Sequence, residues 1–116
     1  MGKIAIVVMS GKDNPPRAMS GLHVAKWIYD ARYENGIGDV EVFLFTEGLR
    51  VIGDTEGEMA HLVHELIEAG IVVGGCSNQL NSWGLVDEAK SAGIFAEFAR
   101  DAFSRYAREG YTVMTF

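Results

Sequence analysis

Six consecutive apolar residues, Ile4 to Met9, follow Lys3 near the start of the chain, and four of them are β-branched. An unbroken run of this kind predicts a strand, Lys3 to Met9, covered on both faces of a sheet. Asn14-Pro15-Pro16 then reads as a helix start, with Asn14 as the cap and the prolines in a first turn where a missing N–H costs nothing. Ala18, Leu22, Ala25, Ile28 and Tyr29 recur at helical spacing, and Asn35-Gly36 stops that helix. Asp39 to Thr46 is the second predicted strand. Thr55-Glu56-Gly57-Glu58 has the form of a capping box, opening a helix with the stripe Met59, Leu62, Val63, Leu66 and Ile67 that Gly70 closes. Ile71-Val72-Val73 is a third buried strand. Short helical material follows to Ala92, then a weak strand from Ile94 to Ala96. A helix carrying Ala99, Ala102, Phe103 and Tyr106 on one face precedes the closing strand, Tyr111 to Phe116.

Strands that alternate with helices imply right-handed crossovers and a parallel sheet. The expected class is therefore α/β: three layers, α/β/α, with a five-stranded and mainly parallel sheet. The length, 116 residues, fits one domain over residues 1–116. Surface scaling for this mass gives about 6,200 Å² folded, roughly a third of the unfolded area, which leaves enough buried surface for a proper core. Ten Lys and Arg against sixteen Asp and Glu give a net charge of −6, which disfavours nucleic acid and anionic membrane surfaces as partners. A single cysteine excludes an internal disulfide. No apolar stretch approaches the length of a membrane span, and the polar segment Ser10-Gly11-Lys12-Asp13 follows the first apolar run where a cleavage site would stand. The expected compartment is the cytoplasm.

In a parallel sheet the strand C-termini share one edge, and ligands usually bind in the crevice there. Topology therefore gathers Ser10 to Asn14, Thr46 to Leu49 and Gly74 to Gln79. Among them Cys76 is the only thiol of the chain. It follows Gly74 and Gly75, which allow close approach, and precedes Ser77 and Asn78, two candidate helix caps. A thiol at a helix N-terminus is stabilised as thiolate; a buried, inert cysteine is the alternative, and position alone leaves both open. His23, His61 and His64 all lie inside predicted helices, so a Cys–His hydrolase has no base. What fits is a thiol that accepts and passes on a group. Ser10-Gly11-Lys12 could cradle an anion at a strand-to-helix turn, although it lacks the Walker A spacing, and Lys12 is a candidate partner for the Cys76 thiolate. Glu58, His61, His64, Glu65 and Glu68 share a helix face that reads as solvated, with no metal expected. No cofactor is implied. Trp27 lies off its helix stripe and Trp83 falls in a loop, which points to a subunit interface.

The order and spacing of these segments resemble the DsrE/DsrF-like sulfur-relay family. The resemblance is carried by Lys3 to Met9, the first helix, Val42-Phe43-Leu44-Phe45-Thr46-Glu47-Gly48-Leu49 and the helix ending Glu68-Ala69-Gly70. Gly75-Cys76, Trp83-Gly84-Leu85 and Gly110-Tyr111-Thr112-Val113 complete it. It implies a homotrimer or homohexamer, and a cytoplasmic persulfide carrier in which Cys76 passes sulfane sulfur from a donor protein to an acceptor thiol. The alternative expectation is a non-enzymatic oligomeric binding module that holds a small anionic or nucleotide-like ligand in the same crevice.

Overall fold

The computed structural model describes residues 1–116. Strands β1 (Gly2–Val8), β2 (Ile37–Leu44), β3 (Val72–Cys76), β4 (Phe95–Glu97) and β5 (Thr112–Thr115) form one sheet in the order β4-β3-β2-β1-β5. Every pairing is parallel. Between the strands lie α1 (Pro15–Asp30), α2 (Arg32–Asn35), α3 (Glu47–Arg50), a single 3-10 turn at Val51–Gly53, α4 (Glu58–Glu68), α5 (Ser77–Trp83), α6 (Val86–Ala92) and α7 (Ala99–Arg108). The accessible surface, 6044 Å², agrees with the scaling expectation.

Local chemistry explains most boundaries. Asn14 caps α1 as expected, its side chain accepting from the Arg17 N–H at 3.4 Å, with Pro15 and Pro16 in the first turn. The capping box does not form. Gly57, not Thr55, is the N-cap of α4, because its N–H donates back to the Asp54 carbonyl in a tight turn that leaves Thr55 and Glu56 outside the helix. Trp83, expected in a loop, is the last residue of α5, and Gly84 makes the left-handed stop at φ 68°.

The strand order decides how the sheet is covered. From β1 to β2, β3 and β4 the chain steps in one direction, and right-handed crossovers then place α1, α4 and the α5–α6 pair on one face. Only the return from β4 to β5 runs the other way, so α7 alone covers the opposite face. The ladder register puts Ala5, Val7, Glu41, Phe43, Val72, Gly74, Cys76, Phe95 and Glu97 on the α7 face. Ile4, Ile6, Val8, Val42, Leu44, Val73 and Gly75 face the other helices. One helix of ten residues does not span five strands: Val72 remains 50% and Phe95 57% exposed, and Phe98 and Phe103 on or beside α7 are more than a third exposed.

What holds α7 in place is Arg105. Its guanidinium donates to both carboxylate oxygens of Glu41 on β2, at 2.8 and 3.0 Å, and to Glu97, the last residue of β4, at 3.1 and 3.2 Å. The Tyr111 hydroxyl donates to Glu41 at 2.8 Å. Burial by itself would raise the Glu41 pKa, but the hydrogen bonds from Arg105 and Tyr111 and the charge of Arg105 outweigh it and hold the carboxyl below its ordinary 4.5. Burial, then the bond to Glu41, push the Tyr111 hydroxyl up. A bidentate, partly buried pair of this kind stands between surface and fully buried ion pairs in strength.

Arg105→Met is expected to lower unfolding free energy by about 2 kcal/mol, measured by urea titration at neutral pH. Because the folded Glu41 pKa lies below the unfolded value, its contribution is complete above the ordinary 4.5 and is lost as pH falls through the folded value. Wild type therefore loses stability over that acid interval more steeply than Arg105→Met; parallel curves refute the assignment.

Candidate functional site

The strand C-termini meet as topology requires, but they meet tightly. A side chain on Gly48 would run into the Val8 carbonyl, and one on Gly11 into the carbonyl of Glu47. These two glycines let the loops after β1 and β2 press backbone to backbone, and the space that remains at this edge, about 250 Å³, is lined by Lys12, Glu47, Arg50 and Asp54. The C-terminal strand adds to the seal: the Phe116 carbonyl accepts from the Met9 N–H at 2.7 Å and the Ser10 N–H at 3.2 Å.

This arrangement corrects the reading of Ser10-Gly11-Lys12 as an anion cradle. The Ser10 N–H is taken by Phe116, and the Gly11 N–H donates to the Asp13 carboxylate at 2.8 Å, so an acidic side chain occupies the place an anion would take. Ser10 itself is buried. Lys12 points elsewhere, to Asp54 at 3.0 Å on the exposed surface, and its hydrogen bond and charge lower the Asp54 pKa. It is not the partner of Cys76.

Cys76 ends β3 and is the N-cap residue of α5, so the first-turn N–H groups of Ser77 and Asn78 follow it directly. Neither Ser77 nor Asn78 is the cap; they are the first two helical residues, and no side chain caps α5. Sequence position leaves a presented thiol and a buried one both open, with Gly74 and Gly75 read as allowing close approach. Cys76 is 2% exposed and belongs to the main hydrophobic cluster. Gly74 and Gly75 explain the outcome. A side chain on Gly75 would stand 2.7 Å from Leu49 and 3.1 Å from Ile94, and one on Gly74 would stand 3.1 Å from Phe43. The missing side chains admit neighbouring apolar groups, not a ligand.

Two residues that the sequence did not single out lie across this junction. Thr46, two residues past the end of β2 and the N-cap of α3, has φ 54° and ψ −127°, a left-sided conformation that a β-branched residue adopts at a cost of about 1–3 kcal/mol. Its N–H donates to the side-chain oxygen of Gln79 in α5 at 2.8 Å. Its hydroxyl lies 2.9 Å from the Met9 carbonyl and 2.7 Å from that of Phe45, donating to one at a time. Nothing in the sequence signals a positive φ at threonine. Gln79 thus clasps the short helix that follows Cys76 to a strained turn. Beside it the Arg50 guanidinium stacks 3.8 Å from the Trp83 ring. No group of three or more His, Cys, Asp or Glu side chains is arranged to hold a metal ion. His23 stacks on Trp27 within α1, and His64 faces Glu68 at 3.4 Å on α4, each away from the strand tips.

The sequence profile of the DsrE/DsrF-like family matches residues 2–116. The chain belongs to the DsrE/DsrF-like family. Solved structures agree on the DsrE-like fold. A conserved protein of unknown function from Bacteroides thetaiotaomicron superposes with TM-score 0.74 at 14% identity, over 97% of this chain and 94% of that one. The ychN protein from E. coli gives 0.74 at 19% identity, with both chains fully covered. A protein of unknown function from Methanobacterium thermoautotrophicum gives 0.69 at 16% identity, again over the whole of both. At these identities the likeness speaks to architecture alone. No curated protein matches this DsrE/DsrF-like chain, and no helix in it is long and apolar enough to cross a membrane.

If the Gln79 clasp helps keep Cys76 covered, Gln79→Ala should speed iodoacetamide labelling of Cys76 about fivefold, the effect of one lost hydrogen bond on local opening. Intact mass against time measures it, and an unchanged rate removes Gln79 from the account.

Proposed function

We propose that this chain is a cytoplasmic sulfur-relay protein in which Cys76 carries a sulfane sulfur from a donor protein to an acceptor. The reading is carried by one conjunction: in a chain of the DsrE/DsrF-like family, the sole thiol stands at the junction of β3 and α5. The Cys76 thiolate attacks the outer sulfur of a donor persulfide. The donor's S–S bond breaks, its own sulfur leaves as thiolate, and Cys76 holds the new S–S bond. An acceptor thiolate then attacks the terminal sulfur and frees Cys76. No net oxidant or reductant is consumed, and with one cysteine per chain both steps take place between molecules. The first-turn N–H groups of α5 favour the anionic forms.

The burial of Cys76 makes this a gated relay. In the closed protomer the thiol is out of reach, so uptake requires the β3–α5 junction to open. A helix of seven residues, clasped to a strained turn by Gln79, is an element of low local stability. The exposed Val72, Phe95, Phe98 and Phe103 support self-association through the thinly covered face, as a homotrimer or homohexamer.

The same burial favours a second reading, an oligomeric binding module with no covalent step, in which Cys76 is core packing. Intact-mass spectrometry after incubation with a persulfide donor separates the two. The relay predicts a gain of one sulfur atom on wild type and none on Cys76→Ala, faster in Gln79→Ala; no gain on wild type leaves the binding module. Light scattering at micromolar concentration should return a multiple of 12.7 kDa, and Phe95→Glu should shift it toward the monomer. A wild-type monomer refutes self-association.

A further inference from the structure

The sheet ends in two edge strands, β4 and β5. β4 has three residues and closes on Glu97, whose carboxylate Arg105 holds. β5 is exposed at every position, and no charged residue falls between Gly110 and Phe116. Neither a charge nor a proline protects this edge, the usual devices against pairing with another chain. Its backbone is also aimed. The Phe116 N–H donates to the Val7 carbonyl, and the Phe116 carbonyl accepts from the Met9 N–H. Bonding groups of successive residues alternate in direction along a strand. Thr112 and Met114 therefore face β1 as Phe116 does, and the N–H and C=O groups of Val113 and Thr115 point away from the sheet. No loop or turn takes them.

We propose that β5 pairs antiparallel with β5 of a second copy of this chain, about a two-fold axis at Met114. Val113 of each copy exchanges both backbone bonds with Thr115 of the other, which uses every outward group of the two strands. The Met114 residues form the non-hydrogen-bonded pair between them, with Cα atoms about 4.5 Å apart. A copy of the chain is the occupant because the outward pattern is its own complement under a two-fold rotation. An uncharged strand also lets two chains of net charge −6 meet with no like charges opposed across the ladder. The contact is isologous and closes at two copies. It lies at the other end of the sheet from the apolar margin of β3 and β4, so it requires neither that margin nor the relay.

Single cysteines placed in Cys76→Ser protein read the register. Met114→Cys should form an intermolecular disulfide under a mild oxidant at least about tenfold faster than Val113→Cys or Thr115→Cys, whose own counterparts are offset along the strands. Intact mass without reductant measures the rates. Val113→Pro removes an outward N–H without breaking the ladder to β1 and should slow the Met114→Cys cross-link about tenfold. Thr115→Lys, which puts a charge on the edge, should slow it too and decides if Val113→Pro does not fold. Phe95→Glu should leave the rate unchanged, so this contact and association through β3 and β4 fail separately. Equal rates at the three positions, no cross-link in Met114→Cys, or a rate unaffected by Val113→Pro and Thr115→Lys in folded protein overturns the proposal.

Discussion

A single reversal of direction governs this molecule. Three crossovers lay helices on one face of the sheet, and one return crossover must cover the other with α7 alone. A lone helix over five strands gains less from burial than a helix in a full layer, which is why its attachment includes a charged clamp. Arg105 reaches Glu41 on β2 and Glu97 on β4, and Tyr111 closes the network from the far side of the helix–strand turn. The clamp fixes α7 laterally, and what it leaves outside is a margin of apolar side chains at β3 and β4. Cys76 shares its face of the sheet with that margin through its register partner Glu97.

The strand tips obey a different constraint. Backbone N–H groups there are satisfied within the chain: those of Ser10 and Met9 by Phe116, that of Gly11 by Asp13, that of Thr46 by Gln79. Glycines at 11 and 48 let the loops touch, and those at 74 and 75 let Phe43, Leu49 and Ile94 fill the strand surface. The region that a doubly wound sheet ordinarily leaves open is here packed and internally bonded. Access to the Cys76 thiol consequently requires a conformational step, and the strain held at Thr46 favours a turn that can rearrange.

Much of the architecture was readable from local pattern. The run from Ile4 to Met9 is a central strand because it is apolar at successive positions, and Asn14-Pro15-Pro16 starts a helix through chemistry confined to a few residues. The third strand and its position before Cys76 followed in the same way. What failed was long-range. Thr55 and Glu58 have capping-box spacing, but the Asp54–Gly57 turn takes precedence. Gly74-Gly75 looks like access until Leu49 and Ile94, distant in sequence, are seen to fill the space. Lys12 is equidistant by sequence reasoning from several acids, and only the fold selects Asp54. The Arg105 clamp joins residues 64 positions apart, beyond any periodicity.

The pairing of β1 with β5 joins residues 4–7 to residues 112–115. During synthesis the first strand leaves the ribosome with one hydrogen-bonding edge open, and its complement is made only when translation of these residues is nearly finished. The early β1–β2–β3 unit can assemble on α1 and α4 beforehand, but its bare side waits for the last quarter of the chain. Nascent protein therefore passes through an interval in which an unpaired, β-branched edge is available to other chains, and conditions that slow elongation lengthen that interval.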